Sequence, residues 1–86
     1  MKMTLLAARI DRSGQILVNT RLDGYPAFFH IEPRAVDAWL GLPALGDANS
    51  LSLLEANWDR FESELARLVR RNGNDFLVTQ AMLRPA

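Results

Sequence analysis

The chain is predicted to be a single α+β domain with the order β-β-β-α-α-β, a mainly antiparallel sheet with a short and a long helix packed on one face. Three observations predict this. Two runs with strand-like alternation flank the turn-forming pair Asp23-Gly24. Leu51, Leu54, Trp58, Phe61, Leu65 and Leu68 recur at intervals of 3, 4, 3, 4 and 3, the spacing of one face of a helix. A length of 86 residues leaves room for one hydrophobic core, so residues 1–86 form one domain.

Residues 4–10 are compatible with a first strand, and Asp11-Arg12-Ser13-Gly14 then supplies turn-forming side chains and a flexible glycine. In residues 16–22, Ile16, Val18, Thr20 and Leu22 alternate with Leu17, Asn19 and Arg21, the pattern of a half-buried strand. Asp23-Gly24 tolerates the positive φ of a tight turn, which sends residues 25–31 back as a third strand. Tyr25, Ala27, Phe29 and Ile31 share one of its faces. Pro26 belongs at an edge or a strand start, where its missing N–H does no harm.

Pro33 opens the short helix because the first helical position has no intrahelical donor to lose. Val36, Trp39 and Leu40 project from one side, and Gly41 closes the helix in a left-handed conformation. Residues 41–50 have loop composition, with Leu42 and Leu45 expected to tuck against the core. The long helix starts between Asn49 and Ser52, where Ser52 and Glu55 have capping-box spacing, and ends at Asn72-Gly73. Its early Glu55, Asp59, Glu62 and Glu64 and late Arg67, Arg70 and Arg71 complement the helix dipole, Arg60 excepted. An exposed charge so placed contributes ~0.3–1 kcal/mol, whereas burying the six stripe residues contributes roughly 9–18 kcal/mol gross, so burial decides where the helix lies. The positions flanking the stripe show no systematic pairing of opposite charges, which favours packing on a sheet over a coiled coil. Residues 76–83 have the content of a closing strand.

Ten Lys and Arg balance ten Asp and Glu, so no overall field holds a polyanion or an anionic membrane, and nucleic acid is disfavoured as a partner. The absence of cysteine removes disulfides, thiolate zinc sites and cysteine nucleophiles together. Arg9 and Asp11 cut the first apolar run far short of a signal-peptide core, and no stretch reaches the ~20 apolar residues of a membrane span. Cytoplasmic residence follows as the expectation, with no membrane partner.

Two segments, 29–36 (Phe-His-Ile-Glu-Pro-Arg-Ala-Val) and 58–65 (Trp-Asp-Arg-Phe-Glu-Ser-Glu-Leu), resemble a bacterial family known as domain of unknown function 1488. The resemblance covers roughly residues 14–84. It implies a small α+β fold with the same hairpins, short helix, long helix and closing strand. It implies no activity, and so carries no catalytic residue over to this chain.

Candidate chemistry is sparse. His30 is the single histidine, and its spacing to Glu32 matches the opening of a zinc deaminase signature whose cysteines are missing here. Ser13, Ser50, Ser52 and Ser63 lie outside any G-x-S-x-G elbow. Residues 41–46 have two glycines at phosphate-loop spacing without the following Lys-Ser/Thr. Glu62 and Glu64 are two apart on a helix and do not face each other. No catalytic, cofactor or metal residue is therefore assigned. Trp39 and Trp58 fall on apolar helix faces and are expected in the core rather than at a binding surface. The leading expectation is a non-enzymatic domain acting through protein contacts, including self-association as a homo-oligomer. The alternative is a weak nucleic-acid-binding module using Arg67, Arg70 and Arg71, joined by Arg34 or Arg84.

Overall fold

The computed structural model describes residues 2–83. Its elements are β1 (Met3–Ile10), β2 (Ile16–Leu22), β3 (Tyr25–Ile31), α1 (Pro33–Leu40), α2 (Asp47–Ala56), α3 (Trp58–Asn72) and β4 (Leu77–Val78). The α+β class stands, with three helices in place of two and a mixed sheet in the order β1-β2-β3-β4. The domain extends over 33 × 29 × 21 Å. The shortest dimension is that of one sheet and one helical layer.

Both predicted hairpins form, with Ile10 opposite Ile16 and Leu22 opposite Tyr25. Asp23 and Gly24 take φ of 52° and 87°, the left-handed values that the tight turn requires. Ile16, Val18, Thr20, Ala27, Phe29 and Ile31 point into the core, as the alternation predicts. Thr20 is the polar member, and its hydroxyl donates to the Ala27 carbonyl at 2.8 Å. In β1 the pairing shifts between Leu5 and Ala7. This bulge changes which alternate residues face inward, so that Met3, Leu5, Ala8 and Ile10 all reach the core while Leu6 and Ala7 stay outside.

The long helix is interrupted, a correction to the sequence expectation. Asn57, at φ −116° and ψ 23°, separates α2 from α3, and both its backbone N–H and its side-chain Nδ2 donate to the Leu53 carbonyl. A side chain that competes for an i−4 carbonyl gives the chain an alternative to the regular ladder. One non-helical residue leaves the stripe in phase, so Leu54, Phe61, Leu65 and Leu68 are buried while Leu51 and Trp58 pack beside them. The first turn also starts earlier than predicted, at Asp47. The Ser52–Glu55 capping box does not form, because the Ser52 hydroxyl donates to the Ala48 carbonyl.

The closing strand is shorter than predicted and parallel to β3. The N–H groups of His30 and Glu32 donate to the carbonyls of Phe76 and Val78, an evenly stepped parallel ladder. Three helices carry the chain from the end of β3 back across one face of the sheet, and the return strand then runs in the same direction as β3. Leu42 and Leu45 are 45% and 70% exposed, so the loop 41–46 does not tuck them into the core.

Candidate interaction surface

The helices cover one face of the sheet, and the other is open. The outward positions of the three long strands are Thr4, Leu6, Ala7 and Arg9, then Leu17, Asn19 and Arg21, then Pro26, Phe28 and His30. Leu6 is 56% and Phe28 40% exposed, and Leu17 and Leu77 are half-buried on the same side. Two-layer domains commonly leave one sheet face in water, but such a face normally alternates to polar residues. Here Leu6, Ala7 and Phe28 stand on either side of Asn19 across the middle of the face, an apolar content that marks a contact surface better than a solvated one.

The outer edge of β1 is less available. The backbone N–H of Met3 donates to Glu62 Oε1 at 3.0 Å, and the Met3 carbonyl accepts from Trp58 Nε1 at 3.0 Å. Asp47 lies beside Gly14 at the other end of the strand, so α2 and the start of α3 together lie along β1. These side chains and the bulge blunt the edge against strand addition, leaving the open face as the larger unpartnered surface.

The face has one polar cluster at its rim. His30 Nε2 lies 3.1 Å from Asp11 Oδ2. The other carboxylate oxygen of Asp11 accepts from the Ser13 hydroxyl, the Ser13 N–H and the Gln15 N–H at 2.8, 2.8 and 3.1 Å. The Ser13 hydroxyl bond, the two backbone bonds and the His30 charge together hold the Asp11 carboxyl below its ordinary value, against a smaller opposing effect of burial. Asp11 stands between the serine and the imidazole, so the imidazole does not touch the hydroxyl that a nucleophilic mechanism would need it to deprotonate. The cluster fastens the β1–β2 turn.

The predicted arginines do not all act alike. Arg67 makes a two-pronged pair with Glu64 at 2.8 and 2.9 Å, which raises the guanidinium further above its ordinary value. Arg70 and Arg71 are exposed in the last turn of α3, with no ion pair among the described residues. Arg67 and Arg71 line a groove of about 240 Å³ with Leu68, Asn72, Ala81 and Met82. Arg34 belongs to a separate cleft of about 330 Å³ with Ser13, Glu32 and Asp47, and Arg84 lies outside the described residues.

Two further features are structural. Asp37 and Ser50, 4% and 1% exposed, join α1 to α2 through the Ser50 hydroxyl, which lies 2.9 and 3.0 Å from the two carboxylate oxygens. Trp39 is half-buried against Phe61, ring centroids 5.8 Å apart, and lines a cleft of about 170 Å³ with Ala35, Ala38, Gln80 and Leu83. Among the described residues no group of three or more His, Cys, Asp or Glu side chains is placed to hold a metal, and no helix is long and apolar enough to cross a membrane.

The open face was not legible as a site from the sequence. Its signal was present in Leu6-Ala7, where the alternation of the first strand breaks, and in Phe28, opposite in phase to the core residues Ala27 and Phe29. No protein family, curated protein or solved structure matches this chain.

Proposed function

We propose that this chain is a cytoplasmic, non-enzymatic domain that acts through protein contact, with the open sheet face as its contact surface. The observation that carries the proposal is the exposure of Leu6 and Phe28, midway along β1 and β3 on either side of Asn19, on a face that no described element covers. A small domain that keeps a Phe and a Leu in water retains apolar area that a partner would remove from water at about 25 cal/mol per Å². Kinship with the domain of unknown function 1488 family, and with it a bacterial origin, belongs to the same proposal. It rests on segments 29–36 and 58–65, which form the end of β3 with the start of α1 and the first half of α3.

The test compares the wild type with a Leu6→Glu/Phe28→Glu variant, using light scattering for self-association and capture from native extract for other partners. Association that the wild type shows and the folded variant lacks supports the proposal. Identical behaviour of both proteins removes the face from it.

The alternative, a weak nucleic-acid module, has one observation in its favour: Arg70 and Arg71 are exposed without carboxylate partners among the described residues. Both are also where cations complement the dipole of α3. Arg67 is already neutralised by Glu64.

A further inference from the structure

We propose that Asn72 is a site of spontaneous covalent modification. It deamidates through a cyclic imide closed by the Gly73 nitrogen, at a rate set by opening of the last turn of α3, and the product loosens β4 from β3. Asn72 is the one asparagine of five that precedes a glycine. The backbone nitrogen after an asparagine can attack the side-chain amide carbon, and a glycine, having no Cβ, leaves that nitrogen least hindered. Thr20, Ser50, Trp58 and Asp75 follow the other four asparagines and crowd the same approach. Asn72 and Gly73 are both exposed, so water reaches the imide.

The chemistry needs water alone. A bond forms between the Gly73 nitrogen and Asn72 Cγ, the Cγ–Nδ2 bond breaks, and ammonia leaves with the displaced proton. Water then opens the ring at either carbonyl. One opening leaves aspartate at position 72; the other leaves isoaspartate, in which the backbone runs through the former side chain. Neither product returns to the amide.

The fold restrains both reacting groups. Asn72 is the last residue of α3, and its Nδ2 donates to the Leu68 carbonyl at 2.9 Å. The Gly73 N–H donates to the Val69 carbonyl at 2.7 Å. A nitrogen whose proton is held in a hydrogen bond is a poor nucleophile, and a side chain tied back along its own helix is kept from swinging onto the following residue. Ring closure therefore waits until both bonds open together, which is the fraying of a helix end.

The same segment positions the closing strand. Residues 73–76 alone join α3 to β4, with Gly73 at φ 76° and Asp75 at φ 61°. Asn74 Oδ1 accepts from the Phe28 N–H, and the Asp75 N–H donates to the Phe28 carbonyl, both at 2.9 Å. An isoaspartate at position 72 inserts an extra backbone atom directly before this fastened connector. Either product also sets a carboxylate where the Leu68 carbonyl had a donor, at the negative end of the α3 dipole. The cap of α3 and the two-residue β4 that follows it are weakened together.

The test incubates the full chain at mildly alkaline pH in heavy-oxygen water, beside a synthetic peptide of residues 68–77, and maps the label by mass spectrometry. Labelled aspartate and isoaspartate should form at position 72 before any other asparagine reacts, and about tenfold more slowly in the folded chain than in the peptide. Asn72→Gln should abolish the label there. In Asn72→Asp, hydrogen exchange of the His30 and Glu32 amides, which donate to Phe76 and Val78, should be about tenfold faster than in the wild type. If that variant does not fold, the aged wild-type chain, separated from the fresh one by its added charge, gives the same reading. Earlier reaction at Asn19, Asn49, Asn57 or Asn74, equal rates in chain and peptide, or unchanged exchange of the two amides would each overturn the inference.

Discussion

The indole Nε1 of Trp58 donates to the backbone carbonyl of Met3 across 55 positions of sequence, at 3.0 Å, and closes the start of the β1 edge. Trp58→Phe keeps most of the ring packing and leaves that carbonyl without its partner. The expected loss is about 1 kcal/mol in urea unfolding, against about 2–4 kcal/mol for Trp58→Ala, which also vacates half-buried volume. Equal losses for the two variants would show that the hydrogen bond contributes nothing.

Ser50 and Asp37 make a second prediction. Ser50→Ala strands a buried carboxylate without its hydroxyl donor and should destabilise the fold by about 1.5–3 kcal/mol. Adding Asp37→Leu should recover part of that loss, because removing both polar partners is milder than removing one. A double-mutant cycle by denaturant unfolding reads this directly.

Asn57→Ala tests the break between α2 and α3. Alanine favours helix, but the substitution removes the Nδ2 bond to the Leu53 carbonyl. A net destabilisation of about 0.5–1 kcal/mol is expected if that bond outweighs propensity. A stabilised variant would mean that the break is imposed by packing against β1 alone.

Asp11 gives a pH dependence. Its folded carboxyl lies below the ordinary value, so in acid the unfolded chain takes up the proton first. The stabilising contribution is fully present above the unfolded pKa of about 4 and is lost as pH falls through the lower folded value. Asp11→Asn should therefore flatten the acid limb of the thermal midpoint below about pH 4 and change its slope little above about pH 5. An unchanged acid limb would remove Asp11 from the linkage.

The arginines late in α3 should give no measurable binding to DNA or RNA in a fluorescence titration at about 50 mM salt. Binding that falls with salt and disappears in an Arg67→Ala/Arg70→Ala/Arg71→Ala variant would transfer the functional reading to nucleic acid.

Both hairpins, the short helix from Pro33 to its Gly41 cap, and the burial of the stripe from Leu51 to Leu68 were legible in the amino-acid sequence. Each rests on local chemistry: turn residues that accept positive φ, a proline at the first helical position, and a period that places apolar groups on one face. Whatever depends on distant partners emerged only from the folded chain. β4 is short and parallel because three helices return the chain beside β3, and Asn57 breaks a helix whose spacing runs through it. Leu6 and Phe28 became a candidate site for the same reason. Period alone gives a strand two faces, and only the placement of α2 and α3 settles which of them is covered.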